Sequence, residues 1–109
     1  MNAHRKGSNW RRAVVVHLEG RGWTTHSRPI GEAGDDIHAV GHGVALSVEA
    51  KNCARIDLAG WVDQAVRQVR AAFTVPVVVI KRRGRASAGE AYAVLRLSDL
   101  MDLLEGREG

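Results

Sequence analysis

Val75-Pro76-Val77-Val78-Val79-Ile80 is almost wholly apolar and β-branched. Such a run reads as a central strand covered on both faces, because a strand with one wet face would alternate. A chain with such a strand needs helices on both sides of its sheet, which makes it an α/β protein. Alternating segments surround it. Ser8 or Asn9 can cap a helix to about Glu19, with Trp10, Val14, His17 and Leu18 as its inner stripe and Gly20 and Gly22 as its stop. Trp23–Arg28 reads as a short strand ended by Pro29, and 31–34 as a loop.

Asp36–Val40 and Val44–Lys51 read as strands joined by a tight hairpin at Gly41-His42-Gly43. In the second, Val44, Leu46, Val48 and Ala50 alternate with Ala45, Ser47, Glu49 and Lys51, so the first set is expected on the buried face. Asp57 can cap a second helix, with Leu58, Trp61, Val62, Ala65 and Val69 inward and an end near Ala72. Lys81–Arg85 is a basic loop and Tyr92–Leu97 a strand. Ser98 caps a last helix through Glu105, closed by Gly106. The expected order is αβββαββα, one mixed sheet flanked by helices. All of it fits one domain, residues 1–109, with 1–7 and 106–109 expected to fray.

The sequence offers no apolar run long enough to span a bilayer and no signal-peptide pattern, so a cytoplasmic address is expected. A single cysteine, Cys53, excludes an internal disulfide and is expected as a small buried filler. Net charge is +4 with an isoelectric point near 10, a lean toward polyanions, nucleic acid first. Phosphate-contact candidates are Arg5, Lys6, Arg11, Arg12, Arg28, Lys81, Arg82, Arg83 and Arg85.

The densest chemistry lies in Gly34-Asp35-Asp36-Ile37 and Val48-Glu49-Ala50-Lys51-Asn52. Glu49 and Lys51 project from one strand face, and the hairpin folds Asp36 back beside Glu49. A register centred on His42 would pair residue 36 with 48. Two carboxylates and a main-chain carbonyl suit a hard divalent cation, which would lower the pKa of a bound water and neutralise phosphate charge. Lys51 would orient that water or stabilise developing charge. Taken alone, Glu-x-Lys also describes a surface ion pair. His38 and His42, on a strand and a turn, make a poor zinc pair.

These residues, with Leu18-Glu19-Gly20-Arg21-Gly22-Trp23 and Trp61-Val62-Asp63-Gln64-Ala65, resemble the PD-(D/E)XK nuclease superfamily. Within it the chain is most similar to the small Holliday junction resolvases of archaeal and phage type, over roughly residues 7–104. The resemblance implies a restriction-endonuclease-like fold and Mg²⁺-dependent DNA hydrolysis, with Mn²⁺ able to substitute. It implies metal ligands Asp36, Glu49 and the Ala50 carbonyl, a motif lysine at Lys51 and a helix glutamine at Gln64. Asp35 rivals Asp36. It implies branched DNA as substrate, roles in recombination and repair in a cell or an infected host cell, and a C₂ homodimer. Leu100, Met101, Leu103 and Leu104 are the expected part of the dimer patch.

Relatives carry a glutamate on the first helix where this chain has Arg11, followed by Arg12. Glu32 as a third acid, a cation held by fewer ligands, or loss of catalysis would each follow. Another repair or restriction-like nuclease, or a non-catalytic DNA-binding module on the same fold, therefore stays open.

Overall fold

The computed structural model describes residues 3–29 and 32–106, with side chains in the first helix from Lys6 onward. The order is α1 (Ala3–Gly20), β1 (Thr24–Ser27), β2 (Ile37–Gly41), β3 (Val44–Lys51), α2 (Leu58–Arg67) and β4 (Thr74–Ile80). A 3₁₀ turn at Ala88–Glu90, β5 (Tyr92–Val94) and α3 (Leu97–Glu105) complete it. The strands form one mixed sheet in the order β1-β2-β3-β4-β5, with β3 and β4 parallel and the other neighbours antiparallel. The αβββαββα expectation holds. Among the described residues no helix is long and apolar enough to cross a membrane.

The β3–α2–β4 crossover explains why the middle of the sheet is covered twice. In β4, Val77 joins Trp10, Val14, Ile37 and Val48 in a core under α1, with Leu46, Ala50 and Val79 packed against it. Val78 and Ile80 alternate to the other face and meet Ala65, Trp61 and Val62 of α2. Pro76 is tolerated because β5 pairs with β4 only from Val78 onward, leaving that flank without a strand partner.

Several boundaries differ from the sequence expectation. Helix α1 begins at Ala3, not at a Ser8 or Asn9 cap, because Ala3, Arg5 and Lys6 have good helix propensity. The helix thus takes in residues 3–7, while 1–2 and 107–109 lie outside the described residues. Helix α2 stops at Arg67 rather than near Ala72, where the Gln68 amide shares the carbonyls of Gln64 and Ala65 in a tightened last turn. Leu58 is exposed rather than inward. Asp57 does cap α2, accepting from the Gly60 amide at 3.0 Å. Helix α3 is entered through Arg96, whose side chain pairs with Asp99 at 2.8 Å, so Ser98 lies inside the helix instead of capping it.

The hairpin register matters most for the site. The turn is the two-residue His42-Gly43, with φ of 53° and 77°, the paired positive values that a type I′ turn requires. Gly41 stays in β2 opposite Val44, and Ile37 pairs with Val48. The pairing is thus shifted by one from a register centred on His42, because a two-residue turn places the axis between His42 and Gly43. Asp36 consequently falls opposite Glu49.

Candidate active site

Strand β2 begins only at Ile37, opposite Val48, while β3 runs on to Lys51, so beyond Val48 the β3 edge has no strand partner on that side. The Asp36 side chain takes over. The Asp36 backbone amide donates to the Val48 carbonyl at 3.1 Å, and the side-chain Oδ2 accepts from the Ala50 amide at 2.8 Å. Amide and carbonyl of one strand residue face the same edge, so the Ala50 carbonyl points toward Asp36 too. The other carboxylate oxygen, Oδ1, pairs with Arg11 Nη2 at 2.8 Å. Arg11 Nη1 donates to the Arg28 carbonyl, so the guanidinium ties α1 to the ends of β1 and β2.

Asp35, the rival acid, is buried and held elsewhere. Arg28 donates to its Oδ1 at 2.9 Å and to its carbonyl at 3.1 Å, and His38 Nδ1 lies 3.7 Å from Oδ2. Glu32 is exposed, and Glu19 accepts from Thr25 at the far end of α1. Among the described residues no three His, Cys, Asp or Glu side chains converge as a metal cluster. The site thus offers two carboxylates and a carbonyl.

Glu49 lies on the α2 face of β3 and is only 2% exposed. The alternate set of β3 was expected opposite the buried face; α2 covers it, so Ser47 and Glu49 are as buried as Val48. Burial raises the Glu49 carboxyl from 4.5 to about 7, assisted by the Asp36 charge and opposed by Lys51. Its Oε2 is 3.9 Å from Lys51 Nζ, and its Oε1 has no partner. An orphaned, buried carboxylate oxygen is costly unless something fills the gap. Lys51 Nζ is positioned by Gln64 Oε1 at 3.3 Å and stands 5.7 Å from the centre of the Trp61 ring. Asp36, Glu49, Ala50, Lys51 and Gln64 therefore meet at one end of the sheet.

The basic candidates divide. Lys6 and Lys81 line one groove of about 420 Å³ with Asn9, Trp10, Ala13, Asn52 and Ala86. Asn52 follows Lys51 in the chain, but Asp36, Glu49 and Lys51 do not themselves line this groove. Arg82 and Arg83 are exposed on the same loop, and Arg85 lies 3.8 Å from Glu90. Arg12 is exposed on α1, beside His17 and Ala88. Arg11 and Arg28 are engaged with Asp36 and Asp35. The Arg5 side chain lies outside the described residues. Cys53 is exposed, not a buried filler, because it sits past the end of β3 where the core has stopped.

Sequence reasoning did not foresee the Arg11–Asp36 pair. A signal was present: Arg11 precedes Val14 by three and Leu18 by seven, which places it at the edge of the inner stripe of α1.

Comparison with solved structures decides the fold. Hjc, a Holliday junction resolvase from the archaeal hyperthermophile Archaeoglobus fulgidus, superposes with a TM-score of 0.57. The match covers 94% of this chain and 97% of that one, at 18% sequence identity. The chain has the nuclease fold of that resolvase. No protein-family profile matches the sequence, and no curated protein matches it.

Proposed function

We propose that this chain is a divalent-cation-dependent endodeoxyribonuclease of the PD-(D/E)XK kind that cuts branched DNA, as a Holliday junction resolvase does. The observation that carries the reading is the meeting of Asp36, Glu49 and Lys51 at one end of a sheet with a resolvase fold. The donor set fits a hard cation: every group is an oxygen, and Glu49 Oε1 is buried without a partner. Asp36, Glu49 and the Ala50 carbonyl would hold it. Mg²⁺, or Mn²⁺ in its place, supplies Lewis acidity, charge neutralisation and acidified water when bound.

The chain's own residues do the remaining work. Lys51, held by Gln64 and walled by Trp61, presents its ammonium to the phosphate and stabilises charge that develops there. Gln64 positions Lys51. Lys6 and Lys81 bind flanking backbone phosphates in the groove they share, and the exposed Arg82 and Arg83 extend the track. Such contacts fix position without reading bases, which suits a substrate selected by branch shape. Symmetric cleavage of two strands calls for a C₂ homodimer. Helix α3, where Leu104 is 72% exposed, belongs to the proposed patch. Sedimentation should give a dimer at micromolar concentration, and a strict monomer would count against the resolvase reading.

The Arg11–Asp36 ion pair favours one rival, a module that binds branched DNA without cutting. Cleavage of a labelled four-way junction with Mg²⁺ or Mn²⁺, comparing wild type with Glu49→Ala, separates the two. Paired nicks that vanish in the variant support the nuclease. Salt-sensitive binding without cutting in either protein supports the module. Flap and linear duplex substrates run alongside distinguish a resolvase from another repair or restriction-like nuclease.

A further inference from the structure

We infer that Arg11 is a built-in counter-cation for Asp36: its guanidinium holds the outer carboxylate oxygen, and a divalent cation must displace it to bind. The inference rests on the nuclease reading and concerns regulation of the same site. Four observations carry it. Asp36 has both oxygens engaged, Oδ2 by the Ala50 amide and Oδ1 by Arg11 Nη2, each at 2.8 Å. The Ala50 bond completes the sheet edge, so Oδ1 is the oxygen that can change partner. The pair is only partly sheltered, with Arg11 and Asp36 side chains 19% and 21% exposed, which leaves a path for exchange. Glu49 Oε1, by contrast, is buried and unpartnered. One carboxylate is therefore already neutralised while its neighbour awaits a partner.

The guanidinium is anchored twice, on Asp36 and on the Arg28 carbonyl. Displacing it breaks a charge-assisted bond, so cation affinity is set by a competition inside the protein. Arg11 is then a positioning residue. Released from Asp36, its planar fork is free to take an anionic oxygen such as a DNA phosphate. Cation and substrate would enter together, and the free protein would hold cations weakly.

The test is Mn²⁺ binding followed by electron paramagnetic resonance, on wild type, Arg11→Gln and the double variant Arg11→Gln/Asp36→Asn. Arg11→Gln removes the charge and keeps a hydrogen-bonding side chain of similar reach. It should bind Mn²⁺ at least tenfold more tightly than wild type, and the double variant should lose that gain. Equal affinity in wild type and Arg11→Gln would overturn the inference while leaving a cation-dependent nuclease standing. No Mn²⁺ bound by any variant, Arg11→Gln included, would overturn both. If Arg11→Gln fails to fold, the wild type still decides. Titrating Mg²⁺ should shift the Arg11 guanidinium and Ala50 amide resonances together in nuclear magnetic resonance spectra. A cation that shifts Ala50 and leaves the Arg11 guanidinium unmoved overturns the inference.

Discussion

The two faces of the sheet share β3 and β4 and serve different ends. Under α1, Trp10, Val14, Ile37, Val48 and Val77 pack into an apolar core, and the Trp10 indole donates to the Val79 carbonyl at 3.3 Å. Under α2 the apolar cluster is smaller, Ala65 with Val78 and Ile80, and polar groups intrude. Ser47 Oγ, Glu49 Oε1 and Gln68 Oε1 are buried without partners, and all three belong to the α2 face of β3 or to the end of α2. A closely packed face is cheap to hold and hard to change. A face with unmet polar groups costs stability and keeps chemical potential for a ligand. The contrast places the close apolar packing under α1 and the unmet polar groups under α2.

That contrast can be broken or sharpened by substitution. Trp10→Ala should cost about 3–5 kcal/mol in equilibrium denaturation, by the combined loss of transfer energy and a cavity. A loss under about 1 kcal/mol would mean that the α1 face is not the stabilising one. Glu49→Gln should instead reduce junction cleavage by about 10²-fold or more, the scale of removing one electrostatic group from a dry site. Its stability at pH 8 should be unchanged or higher, since a buried charge is removed.

The pH dependence should separate the faces again. Glu49 titrates near 7 when folded against 4.5 when free, so the folded state binds the extra proton. Glu49's stabilising contribution is full below the unfolded value and is lost as pH rises through the folded one. In EDTA, stability should therefore fall between about pH 4.5 and 7, by up to ~1.4 kcal/mol per pH unit for one proton. Glu49→Gln should flatten that slope, whereas Val48→Ala should lower the whole curve without changing its shape. An unchanged slope in Glu49→Gln would assign the proton to another group. The smallest effect belongs to the helix that carries Gln64 and Trp61: Asp57→Ala removes the cap of α2 and should cost about 1 kcal/mol, with a modest fall in cleavage.

Legibility in the sequence followed locality. Strand β3 was readable to the residue because its alternation and its flanking glycine and asparagine are local signals. The β-branched run of β4 announced a doubly covered strand, and Asp57 and Gly106 marked helix ends. Boundaries set by competition were not readable. Helix α1 extends past its expected cap and α2 stops short, because propensity and packing trade against each other at helix ends. The hairpin register moved by one because Gly41-His42-Gly43 accommodates either a two- or a three-residue turn, and only strand pairing selects between them.

For the candidate site, the sequence supplied the inventory: Asp36, Glu49, Lys51 and Gln64, with a hairpin and a crossover to bring them near one another. Residue type and period are written locally, so those could be read. The tertiary structure alone decided that the Asp36 side chain finishes the edge of β3 while Arg28 holds Asp35, and that Glu49 is buried with one oxygen unmet. It alone turned Arg11 inward onto Asp36 instead of leaving it to solvent. Burial and ion pairing depend on which distant segment covers a side chain, and Arg11 and Asp36, separated by 25 positions, meet only when α1 packs across the sheet.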